Sequence, residues 1–169
     1  MKKEESDSME IRISKGLYVD AGIARFIKNF NKWGYVTKMS CSAMETDGHD
    51  KKFGYRPFIS FERPTEELKS YEIYFRFLVS VFKEINYIEE LKFPHDPEYR
   101  AYWYLNFQPL NSKDLSEVLG LNAYLPYGMS DDRIYAKFDE LHSFLRQKDY
   151  FKKLSERKVM DGEDVIQIL

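Results

Sequence analysis

The chain has 169 residues, of which 43% are apolar and 32% charged, and it carries a formal charge of −2. That length suits one globular domain with its own core, and the charge excludes a surface that traps nucleic acid by net electrostatics alone. No run nears the ~18 apolar residues of a membrane span, so no membrane partner is expected.

Met1–Ser8 are polar, lack an apolar stretch and give no signal peptide; residues 1–8 are expected to be poorly ordered, as are 159–169. Met9, Ile11 and Ile13 alternate with charged neighbours, which predicts a short strand. Asp20 suits the N-cap of a helix whose Ile23, Phe26, Ile27 and Phe30 share one face, and Gly34 closes it. A strand follows from Tyr35, so the chain opens with a strand–helix–strand unit of the βαβ kind. Residues 43–55 read as a loop, and Pro57–Phe61 as a strand with Ile59 and Phe61 on one side.

Pro64-Thr65-Glu66-Glu67 signals a helix start. Leu68, Tyr71, Tyr74, Phe75, Leu78, Val81, Phe82 and Ile85 give that helix one wide apolar face, with Ile73 and Phe77 off it. Strands are expected over 86–93 and 100–108, joined through Pro94-His95-Asp96-Pro97 as a hairpin. Ser112 caps a predicted short helix through Leu119, stopped at Gly120, and 121–129 read as a loop. Ser130-Asp131-Asp132 open a last helix with Ile134, Phe138, Leu141 and Leu145 inward. The whole predicts an α+β fold over residues 1–169 as a single domain. Its mixed β-sheet would have helices packed mainly on one face.

Chemistry-bearing residues concentrate at the end of the strand from Tyr35, at Thr37, Ser40, Cys41 and Ser42, and in the loop with Asp47, His49 and Asp50. Cys41 is the only cysteine, which excludes an internal disulfide and points to a reducing, cytoplasmic compartment. It becomes a nucleophile only if a cation or helix N-terminus lowers its pKa; otherwise it is a small buried hydrophobe. Cys41, Asp47, His49 and Asp50 are metal-ligand types at a spacing that matches no zinc pattern, so no metal is expected. His95 reads as a solvent-facing turn residue and His142 as a packed, hydrogen-bonded one. The N–H groups at Ala21-Gly22 suit an anion, which Asp20 would oppose. No glycine-rich phosphate loop occurs. Lys148, Lys152, Lys153 and Arg157, with Tyr150 and Phe151 interleaved, suit either RNA contact or a solvated helix end.

The residues Val19-Asp20, Ile23, Phe26-Ile27, Asn31, Gly34-Tyr35, Thr37 and Ser40-Cys41-Ser42 together resemble the tRNA wybutosine-synthesis methyltransferases of the third-step type. That family has a helix-opening aspartate, an Asn near the helix end, then Gly-Tyr, Thr and a strand ending Ser-Ser-Cys-Ser-Gly-Arg. Arg56-Pro57-Phe58-Ile59 is similar to a later strand of those proteins. The resemblance covers residues 17–61. It implies an α+β fold that binds S-adenosylmethionine and acts on a tRNA base, with Thr37, Ser40, Cys41 and Ser42 lining the pocket. This chain has Met39, Ala43 and Met44 where the family has Ser, Gly and Arg. Loss of that Gly restricts backbone approach, and loss of the Arg removes a planar cation.

The expected function is therefore binding of a small nucleotide-like ligand of the S-adenosylmethionine type, in RNA modification. Thr37 and Ser40–Ser42 would be anchors, with Asp47, His49 and Arg56 closing the site. The alternatives are a non-enzymatic interaction module, such as a homodimer through the helix around Ile73 and Phe77, and a thiol or metal enzyme.

Overall fold

Ile59 and Phe61 on one strand, and Leu121 and Ala123 on another, alternate with polar or exposed neighbours and are fully buried. A period of two with one face inside is what makes these segments strands. The computed structural model describes residues 10–14, 17–50, 54–62, 71–111 and 114–148. In chain order the elements are β1 (Glu10–Ser14), β2 (Leu17–Asp20), α1 (Ala24–Lys32), β3 (Thr37–Cys41), β4 (Phe58–Glu62), α2 (Tyr71–Lys92), β5 (Tyr104–Asn111), β6 (Asp114–Tyr124) and α3 (Asp131–Lys148). Short 3-10 turns occupy Ala21–Ile23, Glu45–Asp47 and Pro97–Tyr99.

The fold is α+β. β1 and β2 form an antiparallel hairpin, and a four-stranded sheet runs β3-β4-β6-β5. Every neighbouring pair in that sheet is antiparallel, so the sheet is not mixed. The reason lies in β2, a strand the sequence reading passed over. It turns the first strand into a hairpin arm. The strands flanking α1 then fall in two different sheets, and no parallel crossover forms.

The helices cover one face of the four-stranded sheet. Phe30 of α1 and Phe82 of α2 pack on Phe61 at ring separations of 6.2 and 6.1 Å, and Phe75 of α2 meets Phe107 edge-on at 6.2 Å. Ile134, Phe138, Leu141 and Leu145 of α3 are buried as their spacing predicts, as are Ile23, Phe26, Ile27 and Phe30. Ser130 caps α3, its hydroxyl accepting from the Arg133 amide at 3.4 Å. Gly34, at φ 98, ends the turn after α1 in the left-handed region that glycine adopts freely. Phe77 is not an outward residue of α2. It is 2% exposed and stacks on Tyr35, so it belongs to the core rather than to a dimer surface; the Ile73 side chain lies outside the described residues.

Three expectations for the second half are corrected. Residues 86–92 continue α2 rather than pairing as a strand, because the inward positions after Phe82 and Ile85 are polar. Asn86 holds Trp103 through both backbone groups, accepting from its N–H at 2.8 Å and donating to its carbonyl at 3.0 Å. Glu89 is 4% exposed and accepts from the Ala101 amide at 2.8 Å, from Arg133 at 2.5 Å and from Lys137 at 3.3 Å. The strand predicted from Arg100 therefore starts at Tyr104, although Ala101 and Trp103 already point inward. Of the segment predicted as a helix through Leu119, residues 114–119 are the first half of β6, which runs on into the expected loop as far as Tyr124; the Ser112 cap lies outside the described residues. Gly120 pairs with Glu62 and Gln108 as a strand residue and stops no helix. Pro109, on the outermost strand β5, sits where the pairing register with β6 slips.

Among the described residues no helix is long and apolar enough to cross a membrane. Residues 1–8 and 159–169, the helix start at Pro64–Glu67, and Lys152, Lys153 and Arg157 lie outside the described residues; Lys148 is the last residue of α3.

Candidate functional site

β3 is an edge strand of the sheet, and its register slips between Thr37 and Met39. Across that bulge Thr37 pairs with Phe61 and Ser40 with Ile59, both on the helix-covered face, whereas Met39 pairs with Ser60 and Cys41 with Phe58 on the opposite face. The strand-end residues therefore do not share one pocket.

Thr37 is buried. Its hydroxyl accepts from the Asn31 amide at 2.8 Å, and its own N–H donates to Asn31 Oδ1 at 3.2 Å. Asn31 also donates to the Ile27 carbonyl at 2.8 Å, so it ties the end of α1 to the start of β3. Ser40 Oγ is buried with no hydrogen-bond partner among the described residues. Ser42 is fully buried and donates through its hydroxyl to Asp47 at 2.6 Å. Asp47, 2% exposed, also accepts from the Gly22 amide at 2.9 Å. A Cβ on Gly22 would lie 2.6 Å from Asp47 Oδ2, so this approach requires glycine. Asp47, not Asp20, thus accepts from the Gly22 N–H before α1, so a carboxylate of the chain itself occupies the anion position considered there. Asp131, at the head of α3, accepts from the amides of Glu45 and Thr46 at 3.0 and 3.1 Å and pins the same loop.

Asp20 has another role. Its Oδ2 accepts from the Ser42 amide at 2.7 Å and lies 2.8 Å from His49 Nε2. The same His49 nitrogen is 3.8 Å from Cys41 Sγ. In a nucleophilic triad the histidine uses one nitrogen for the nucleophile and the other for the acid. Here one nitrogen serves both, so no proton relay runs through the ring. Burial, aided by the charges of Asp20 and Asp47, raises the Cys41 thiol to about 11 against the effect of the Ala43 amide. A thiol this protonated at neutral pH is no nucleophile. Ala43 takes φ 52, a left-handed conformation uncommon for a residue with a side chain. Asp50 is exposed, and His49 is half-covered by the Tyr55 ring at 5.0 Å.

Arg56 does not close over Cys41. Its Nε donates to the Leu125 carbonyl at 2.6 Å, and its guanidinium lies over Tyr124 at 5.0 Å and over Tyr104 and Tyr127 at 5.3 Å. Beside it a cleft of about 40 Å³ opens between Ala43, Tyr55, Pro57, Tyr127 and Met129. That is room for water, against the roughly 300 Å³ or more of a cofactor pocket.

Arg56 leads instead to the sheet face away from the helices. Cys41, Phe58, Tyr124 and Tyr104 form one row there, straight across β3, β4, β6 and β5. Phe58 and Tyr124 stand 5.8 Å apart, and Tyr104 is 51% exposed. The next row is Met39, Ser60, Asn122 and Asn106, in which Ser60 and Asn122 hydrogen-bond to each other. Among the described residues no helix ring packs on Phe58, Tyr124 or Tyr104.

His142 is the packed histidine expected, 2.9 Å from the Asn29 amide and among Phe26, Phe30 and Trp33; His95 is exposed. Sequence reasoning missed two members. Asp20 was assigned to a cap, since nothing in a 29-residue separation ties it to His49. The aromatic row was missed because two of its strands were not read as neighbours, although the tyrosines opposite Trp103 and Leu105 were visible. No protein-family model, curated protein or solved structure matches the chain.

Proposed function

We propose that this chain is a single-stranded RNA-binding domain that stacks bases on Phe58, Tyr124 and Tyr104. The observation that carries the reading is the register: three aromatic side chains from three adjacent strands share one row, on the sheet face opposite the helices. Tyr104 is exposed, and Phe58 and Tyr124 are half-buried; accessible rings on an antiparallel sheet accept unstacked bases, because every base has an apolar face to offer. Arg56, whose guanidinium lies near three tyrosine rings, adds a cation beside a phosphate or over a base. In the next row Asn106 is exposed and offers an amide for base edges or ribose hydroxyls, while Ser60 and the buried Asn122 hold each other.

This reading stays within the nucleotide-binding class that the sequence suggests but moves the seat. The S-adenosylmethionine reading asks Thr37 and Ser42 to leave partners they already hold, and it rests on the resemblance alone. With a net charge of −2, binding is expected to lean on stacking. The salt dependence should then be shallow, at about −0.7 in log–log slope for each phosphate neutralised.

The test is fluorescence anisotropy with a labelled mixed-sequence RNA oligomer. Tyr124→Ala and Tyr104→Ala should each weaken binding about 5- to 150-fold, the range of one lost stack, while Tyr→Phe at either position changes little. Wild-type protein that ignores the oligomer, or alanine variants that bind as tightly as wild type, would end the proposal. A melting-temperature rise with S-adenosylmethionine, and none with RNA, would return the function to the strand end; saturation at ~100 times Kd is worth about 2.7 kcal/mol.

A further inference from the structure

We propose that Asp20, Cys41 and His49 form a three-ligand site for a divalent transition metal, zinc by its donor set, with the fourth position open to water or a substrate. This site is independent of the RNA reading. One carboxylate oxygen, one sulfur and one ring nitrogen lie within 4.8 Å of one another, brought together from the end of β2, the end of β3 and the loop after it.

The geometry favours convergence on a point. Asp20 Oδ2 and Cys41 Sγ both approach the same nitrogen of His49, at 2.8 and 3.8 Å. The three donor atoms thus converge on one another, with no second nitrogen engaged by either. Tetrahedral zinc with ordinary bond lengths sets the nitrogen–sulfur separation at about 3.6 Å and the nitrogen–oxygen separation at about 3.3 Å. The first is already met. The second needs His49 and Asp20 to part by about half an ångström, exchanging their direct contact for metal bonds.

The donor types agree. Cys41, a thiol in the metal-free protein, releases its proton to solvent as the cation binds; the resulting thiolate, a neutral imidazole and a carboxylate together carry two negative charges, which a divalent cation offsets. Mixed sulfur, nitrogen and oxygen ligation selects zinc or cobalt over magnesium or calcium. The surroundings also hold the ligands in place, as metal sites require. The Ser42 amide fixes the Asp20 carboxylate at 2.7 Å, and the Tyr55 ring lies 5.0 Å from the His49 ring. The His49 side chain is 16% exposed and Asp20 6%, so the site is sheltered yet reachable. Three protein ligands plus one open position is the arrangement of catalytic rather than structural zinc. The site ends the row that continues through Phe58, Tyr124 and Tyr104.

The experiment is titration of chelator-treated protein with cobalt(II), followed by absorption. Expected is one equivalent bound with a sulfur-to-cobalt charge-transfer band, displaced by zinc. Cys41→Ser should abolish the band, and His49→Gln should weaken cobalt binding at least 100-fold. Circular dichroism checks that each variant folds, and the more exposed His49 position keeps the test valid if Cys41→Ser does not. Zinc should also raise the melting temperature of wild type and not of His49→Gln. Three results overturn the assignment: no stoichiometric cobalt binding by folded wild type, cobalt bound without a thiolate band, or a band undiminished in His49→Gln. Any of these leaves Asp20, Cys41 and His49 as a hydrogen-bonded cluster only.

Discussion

Replacing Glu89 by Gln probes the clamp that sets where β5, and with it Tyr104, begins. Glu89 is buried and receives the Ala101 amide, Arg133 and Lys137. Gln keeps the shape and one oxygen but removes the charge. Each of three charge-assisted hydrogen bonds then falls toward the neutral range, a loss of about 1 kcal/mol apiece. Lys137, whose side chain is 5% exposed, retains Glu140 at 3.1 Å as its one acidic partner among the described residues. The expected loss is about 3 kcal/mol, or about 6–12 °C in melting temperature for a domain of this size. Glu89→Ala, which also strands the Ala101 amide and a buried lysine, should cost about 3–5 kcal/mol. Urea unfolding followed by circular dichroism measures both. Burial pushes the Glu89 carboxyl up, but the Ala101 amide, Lys137 and Arg133 outweigh it and hold it below the ordinary 4.5. A lowered folded value means that this stabilisation is complete above the unfolded value and vanishes as pH falls through the folded one. The gap between wild type and Glu89→Gln should therefore be full near neutrality and close in acid below 4.5. A Glu89→Gln protein within about 0.5 kcal/mol of wild type at neutral pH would refute the reasoning. So would a gap that persists unchanged in strong acid.

Asn31→Ala should cost about 2–3 kcal/mol by urea unfolding, since it strips the Thr37 amide and hydroxyl of their partner in a buried setting. Gly34→Ala forces a side chain into φ 98 and should lower stability by about 1–2 kcal/mol, with the fold otherwise retained. His142 has its pKa lowered, by burial first and by the Arg25 charge next. Its contribution to stability is full above the ordinary 6.5 and lost as pH falls through the lowered folded value. The melting temperature of wild type should thus drop on mild acidification more than that of His142→Gln.

The parts of the fold that could be read in the sequence are those where apolar spacing is uninterrupted. α1 and α3 announced themselves through Phe26, Phe30, Ile134 and Leu141, and β4 through Ile59 and Phe61. The failures have two causes, inward-facing polar residues and pairing partners that the local sequence does not name. Asn86 and Glu89 face inward but look solvated, so the end of α2 was mistaken for a strand. Gly120 and the polar residues before it imitate a helix stop, whereas the partner strands that fix β6 lie far away in sequence. At the site, the structure brings Cys41 of the strand end and His49 of the following loop within 3.8 Å. The fate of each polar group was not legible, because hydrogen-bond partners such as Asn31, Asp20 and Gly22 are chosen by three-dimensional packing. Charge and residue type nominated Arg56 as a lid; its tyrosine neighbours arrive from β5, β6 and the turn after it.

Pro109 on the rim of the sheet has a consequence for how the molecule behaves in a crowded solution. Among the described residues β5 has no strand on its outer flank, and its exposed Tyr104 lies beside that flank, the combination that invites another copy to add as one more strand. A residue without an N–H, placed where the ladder already slips, interrupts that template partway along its length. The rings can stay uncovered for an incoming base while the backbone beside them is denied the continuous run of hydrogen bonds on which fibrils grow.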